Sequence, residues 1–367
     1  MNSLENLTKS AIGLLERLIQ TPSFSGEEEQ TAWLISDWLK NLGIPCWQHG
    51  NNIIAQNRGF SPDKPSLLLN SHHDTVRPNK AYTRDPFEAR IEDGKLFGLG
   101  SNDAGGCLVS LLATFAYWYP QKQLTHNVVL VASAEEENSG PNGLGSVLKE
   151  LPDIDVAIVG EPTLLDLAIS EKGLVVFDGI VKGTPSHAAH PNRDNAIYNT
   201  IPVLEWFRDY RFPGISETLG EVKLTVSQIH GGNQHNAVPA QVEFVLDVRV
   251  NDCYTNAEIA RTLKEEAPCE LHPRSLRLNS SSIDPEHPLV RAGVALGGKT
   301  YGSPTLSDQA SLDCPSLKLG PGDTLRSHSA DEFINIKEIE EGIQFYSNLL
   351  DRFLKPGKDY APDGPVY

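Results

Sequence analysis

The segment Leu67–Pro78, LLLNSHHDTVRP, joins three leucines to two histidines and an aspartate. An apolar run that stops on such a cluster has two explanations. Either the strand reaches the surface there, or His72 and Asp74 stand at the end of a buried strand because a metal is held there. The choice depends on what other strands carry at their ends. Three more apolar runs stop in polar residues: NVVLVASAEEE (127–137), DVAIVGEP (155–162) and SLKLGPG (316–322). Between the Leu67–Pro78 segment and the 127–137 run lies AGGCLVSLLATFAYWY, a helix-length apolar segment. Strand, helix, strand in that order predicts βαβ units and a mainly parallel sheet with helices on both faces, an α/β class. In such sheets ligands bind beyond the carboxyl ends of the strands, where these polar residues fall.

Working outward, Leu7, Ala11, Leu14, Leu15 and Leu18 recur at helical spacing, so an amphipathic helix opens the chain. Ser25 with Glu28 three residues later reads as a capping box for a second helix, whose buried stripe is Ile35, Trp38, Leu39 and Leu42 and whose stop is Gly43. After Gly173 the pattern changes. LVVFDGIVKG, EVKLTVSQIHGG and AQVEFVLDVRV are β-rich, and AIYNTIPVLEWFRDY and TNAEIARTLKEEA are helical. This predicts a separate α+β module over 174–281, inserted into a larger domain formed by 1–173 and 282–367.

The chain has 367 residues, more than one core usually serves. At 39% apolar and 22% charged it has the composition of an ordinary globular protein. A formal charge of -17 argues against nucleic acid and anionic membranes as partners. Five widely spaced cysteines without a CxxC fit free thiols in a reducing cytoplasm. The N-terminal segment contains acids and lacks an apolar core, so it does not read as a signal peptide. No apolar run reaches the roughly 18 residues of a membrane span.

Five candidate ligands stand at strand ends or in the loops after them: His72, Asp103, Glu137, Glu161 and His328. Taken singly each has a bland reading: EEE is a solvated charge run, GEP a turn. Their convergence on one edge of a predicted sheet favours a metal site. Two histidines and three carboxylates suit a borderline cation such as Zn²⁺. Five groups are too many for one open tetrahedral zinc, but they suit two metals about 3.5–4 Å apart with one bridging carboxylate. A single-zinc protease is not supported, because no HExxH occurs.

This constellation resembles the co-catalytic zinc hydrolases that include acetylornithine deacetylase, succinyl-diaminopimelate desuccinylase and aminoacylase. The match runs through nearly the whole chain in the same order. His72-His73-Asp74 matches the family's His-x-Asp, GLGSNDAGG its turn to a bridging Asp, SAEEENSG its Glu-Glu pair, GEPT its Glu-Pro, and RSHSADEF its late His with an acidic pair. The resemblance implies a zinc-peptidase-like catalytic domain with an inserted ferredoxin-like dimerisation domain. It implies two Zn²⁺ per subunit, with Co²⁺ or Mn²⁺ as substitutes. His72, Asp103, Glu137, Glu161 and His328 would be ligands, with Asp103 bridging and a cis peptide after it. Asp74 would orient His72, while His73 on the opposite face is structural. Glu136 would be the general base; a shift of one would assign Glu135 and Glu136 as base and ligand instead. Many members carry Lys two residues after the bridging Asp, where this chain has Gly105.

In the insert, GTPSHAAHP and GGNQHNAVPAQVEFVLDVR resemble the family's Gly-His and Gly-Gly/Asn/Asp-x-Arg segments. By that resemblance His187 stabilises an oxyanion from the partner subunit of a homodimer, and Asn236 and Arg249 bind the substrate carboxylate. The implied activity is deacylation of a small N-acyl amino acid: N-acetylornithine, N-acetylcitrulline or N-succinylornithine, in arginine biosynthesis. The alternatives are succinyl-diaminopimelate, or a dipeptide or carboxypeptidase substrate. A non-catalytic metal- or peptide-binding module would be free to lose its base, and this chain keeps ligands and Glu136 together.

Overall fold

The computed structural model describes residues 3–355. The chain divides into two compact units. One comprises Met1–Ile169, Ser282–Tyr301 and Ser307–Tyr367; the other comprises Ser170–Ser281 and Gly302–Leu306. The first boundary thus lies a few residues before 173, and a short later segment joins the inserted unit.

In the first unit the strands Ser66–His72, Asn127–Ser133 and Val156–Val159 are buried at every residue. Strands covered on both faces read as continuous apolar runs, which is why the sequence marks them so clearly. They lie parallel, Ser66–His72 in the middle, and Ser316–Lys318 extends the parallel set beside Val156–Val159. The edges are antiparallel: Asn52–Gln56 pairs with Asn127–Ser133, and Cys46–His49 with Asn52–Gln56. The helix Gly106–Trp118 connects Ser66–His72 to Asn127–Ser133 and is apolar almost all round, so it is buried between other helices and the sheet. Against it pack the helices Leu4–Ile19 and Ile336–Leu354. The opposite sheet face is covered by a smaller apolar layer that includes Leu68, Val129, Val131, Leu144 and Val147.

The capping-box expectation at Ser25 is not met. The helix Glu29–Asn41 starts after Glu28 without a side-chain cap. Ser25 Oγ donates instead to Asp74 Oδ2 at 2.7 Å, because a buried carboxylate needs the donor more than a solvated helix end does. Glu28 is also buried, its Oε1 accepting from the amides of Gly26 and Glu135.

In the second unit the order is strand Gly173–Lys182, helix Ala196–Asp209, strands Lys223–Gly231 and Gln241–Val250, helix Asn256–Glu266, strand Glu270–Pro273. Both central strands alternate buried with exposed positions, as half-covered strands should. All pairings are antiparallel, with Gly173–Lys182 and Gln241–Val250 in the centre, the ferredoxin-like arrangement. Lys223–Gly231 forms one edge and is exposed along most of its length.

Candidate metal centre

His72 is the last residue of its strand, and its ring is fixed from behind. Its Nδ1 lies 3.0 Å from the Asp74 carbonyl and 3.4 Å from Asp74 Oδ1. A carbonyl can only accept, so Nδ1 carries a hydrogen, and with Nε2 deprotonated the ring would present that lone pair forward to a metal. From Nε2 it is 3.3 Å to Asp103 Oδ1, 3.8 Å to Glu161 Oε1 and 4.0 Å to Glu136 Oε2. Asp74 does more than orient the ring. Its Oδ1 accepts from the Glu136 amide and its Oδ2 from the Glu137 amide, each at 3.1 Å. One carboxylate therefore sets both the imidazole and the backbone that launches the two glutamates.

Asp103 sits in the turn between Gly98 and the following helix, and the Asp103–Ala104 peptide is cis. Its two oxygens point to different histidines: Oδ1 to His72, and Oδ2 to His328 Nε2 at 3.6 Å. His328 Nε2 also lies 2.9 Å from Glu137 Oε2. The turn is held by Glu332, whose Oε1 accepts from the amides of Asn102 (2.8 Å) and Asp103 (2.9 Å) and whose Oε2 accepts from Gly100 (3.1 Å).

The three consecutive glutamates differ in where their side chains go. Glu135 adopts φ +53° and its carboxylate turns away to the amide and side chain of Asn142. Glu136 and Glu137 are the two that reach the cluster. Glu137 has His328 beside it, whereas Glu136 has no hydrogen-bonding histidine. His73 lies off the site: its Nε2 donates to the Asn51 carbonyl and its Nδ1 accepts from Thr31, and burial lowers its pKa to about 4.

The electrostatics ask for cations. Burial, together with the charges of Asp103 and Glu137, pushes Glu161 up to about 8, and burial drives Glu136 well above the carboxylate range. His328 rises to about 9 through its bond to Glu137. The Oε1 atom of Glu161 is buried without a hydrogen-bond partner. A buried carboxylate oxygen in that state is costly unless a cation meets it. Two overlapping groups, His72/Asp103/Glu137 and His72/Glu136/Glu161, each bring their ligand atoms within 4.8 Å of one another. Hard oxygens with imidazole nitrogen suit divalent ions of the zinc, cobalt and manganese type, so the residues fit such a pair.

Gly105 has a local reason. A Cβ there would stand 2.4 Å from the Gly100 carbonyl oxygen and 2.6 Å from Leu15 Cδ1 of the first helix. The space a lysine stem would take is filled. Gly105→Ala is expected to destabilise the fold by about 1–3 kcal/mol, read as a lower denaturant midpoint with unchanged slope.

His187, Asn236 and Arg249 belong to the second unit. His187 is exposed on the short strand Ser186–His187 paired with Ala237–Val238, its Nδ1 accepting from the Ala189 amide. The Asn236 carbonyl accepts from Ala188. Arg249 gives two donors to Asp247, Nε at 2.9 Å and Nη2 at 3.1 Å.

Glu332 was visible only as half of an acidic pair after His328. Asp308 carried no signal. It is buried, accepts from Ser133 Oγ at 2.5 Å, and is pushed up to about 6 by burial.

The sequence profile described as peptidase family M20/M25/M40 matches residues 68–352. The chain belongs to that family. It is 29% identical to acetylornithine deacetylase of Shigella sonnei (strain Ss046), over 95% of this chain and 99% of that one. Among solved structures, the M20 carboxypeptidase Sso-CP2 of Sulfolobus solfataricus superposes with a TM-score of 0.71 at 16% identity, covering 94% of this chain and 99% of that one. The YXEP protein of Bacillus subtilis, described as a dinuclear metal binding peptidase, gives a TM-score of 0.71 at 16% identity, with 94% and 98% covered. These likenesses show the M20 fold: a mixed α/β domain with a mostly parallel central sheet. The chain is a metal-dependent hydrolase of amide bonds.

Proposed function

We propose that this M20 enzyme removes the acyl group from a small N-acyl amino acid, N-acetylornithine first among candidates, with N-acetylcitrulline and N-succinylornithine next. The observation that carries the reading is Asp103, whose two oxygens serve two histidines. Similarity to acetylornithine deacetylase supports the substrate class. His72, Asp103 and Glu161 would hold one ion, and Asp103, Glu137 and His328 the other, with zinc the leading candidate. When bound, such a pair polarises the acyl carbonyl and stabilises the charge that develops on its oxygen. Glu136 takes a proton from the attacking water and returns it to the departing amine nitrogen. Arg249 keeps donors beyond those given to Asp247, and with Asn236 it binds the substrate carboxylate. The test is a hydrolysis screen of N-acetyl- and N-succinyl-ornithine, -citrulline and -diaminopimelate with metal-reconstituted protein. Turnover of dipeptides alone would overturn the substrate class. Among the described residues no helix is long and apolar enough to cross a membrane. The cytoplasm is the proposed compartment.

The same reading makes the enzyme a homodimer through its second unit. Helix Ala196–Asp209 exposes Ile197, Tyr198 and Ile201, and the edge strand Lys223–Gly231 exposes Ile229. An apolar helix face beside an open strand edge is suited to a second copy. Ile201→Asp combined with Tyr198→Asp should give a monomer by sedimentation. His187 would then complete the partner's site. Mixing folded, inactive His187→Ala and Glu136→Ala chains should restore a sizeable part of the wild-type rate, since one site of each mixed dimer is intact. Verified mixed dimers as inactive as their parents would place His187 outside catalysis, or in its own subunit's site.

A further inference from the structure

The turn that presents His328 runs against ordinary backbone preference at two residues. His328 has φ +57° and Asp331 has φ +53°. Residues other than glycine are uncommon in that region, and they persist there where the surroundings over-determine the backbone. Here the surroundings come from a segment far earlier in the chain. Asp331 Oδ1 accepts from the amides of Thr83 and Arg84, each at 2.9 Å, and its Oδ2 accepts from Thr83 Oγ1 at 2.5 Å. Asn79 Nδ2 donates to the His328 carbonyl at 3.1 Å. Both ends of the turn are thus tied to residues 79–84. That segment is anchored in its own right. Arg84 Nη2 lies 2.7 Å from Glu92 Oε2, and its guanidinium stands 4.1 Å over the ring of Phe97. Phe97 in turn pairs with Phe333, two residues beyond Asp331. The His328 side chain is 54% exposed, so packing around the ring does little to aim it. The backbone has to do so.

Resting on the two-metal reading, we propose that Asp331 and Asn79 are positioning residues for His328, and that their bonds to the 79–84 segment and the turn set the affinity of the metal position built on Glu137 and His328. With the turn held at both ends, the imidazole keeps only its own two torsions, and its Nε2 stands 2.9 Å from Glu137 Oε2 and 3.6 Å from Asp103 Oδ2. Without the clamp the turn relaxes towards commoner backbone angles, and binding an ion has to order it again at an entropic cost. The position built on His72 and Glu161 rests instead on the ends of buried strands. The clamp works by hydrogen bonding and not by charge. An asparagine at 331 would keep it: Oδ1 accepts from the two amides, and Nδ2 donates to Thr83 Oγ1, which can accept as well as donate.

The test uses the full-length protein stripped by chelator dialysis. Zn²⁺ affinities are measured by competition with a chromophoric chelator, and Co²⁺ visible absorption follows the two equivalents separately. Asp331→Ala should weaken one equivalent by about 10–100-fold, the range for losing a group that orients a metal ligand, and leave the other within about twofold. Asn79→Ala should weaken the same equivalent by a smaller factor. Asp331→Asn should bind both as the wild type does. His328→Ala identifies the affected equivalent, and adding Asp331→Ala to it should cost nothing further in metal affinity. Should Asp331→Ala not fold, Asn79→Ala combined with Thr83→Val carries the same expectation. Unchanged affinities in a folded variant, or both equivalents weakened alike, would overturn the proposal alone. So would a further loss on top of His328→Ala, which would show Asp331 acting through the fold at large, or an Asp331→Asn as weak as Asp331→Ala, which would make its charge the cause. A single equivalent in the wild type would overturn the two-metal reading beneath it.

Discussion

Glu136→Gln is expected to retain two equivalents of metal and to lose about 10²–10⁴ in kcat, with KM nearly unchanged. The amide keeps the shape and the Asp74-bound backbone amide of the residue, but it cannot accept and return a proton. Glu137→Gln should behave differently. Its oxygen is the one beside His328, so the loss should appear first as weaker metal binding, and excess metal should restore part of the rate. Metal analysis beside steady-state kinetics separates the two. If Glu136→Gln loses metal and Glu137→Gln loses only kcat, the assignments are exchanged.

The second large effect is expected at Asp103. Because its oxygens face both histidines, Asp103→Ala should weaken both equivalents together and take activity to background. Thermal unfolding gives an independent measure. A ligand at about one hundred times its Kd stabilises the native state by about 2.7 kcal/mol, and the variant should lose that metal-dependent rise in Tm. A variant that holds one ion at wild-type affinity would show that Asp103 does not bridge.

Much of this site was legible in sequence because of where it sits. Strands buried on both faces leave unbroken apolar runs, so their polar ends stand out, and His72, Glu161 and the glutamate run were found that way. The supporting residues were not legible for an equally physical reason. Glu332 bonds the Asp103 turn from the far end of the chain, a link made by the fold-back of backbone. Ser25 offered a good local cap, and tertiary demand from Asp74 overrode it. The left-handed turn at Glu135 fixes which glutamates reach the cluster, and nothing in three identical letters encodes it.

The bonds from Asp74 to the amides of Glu136 and Glu137 have a consequence for how the site tolerates change over time. An amide hydrogen belongs to every residue except proline, so drift in the glutamate run cannot remove those donors. The link between the end of the histidine strand and the backbone of Glu136 and Glu137 is therefore made by the Asp74 side chain. Lesions at Asp74, His72 and Glu137 should be strongly sub-additive when combined, because the first already loosens what the others remove. Nor can a lost Asp74 be repaired piecemeal: a new acceptor would have to reach an imidazole and two amides at once.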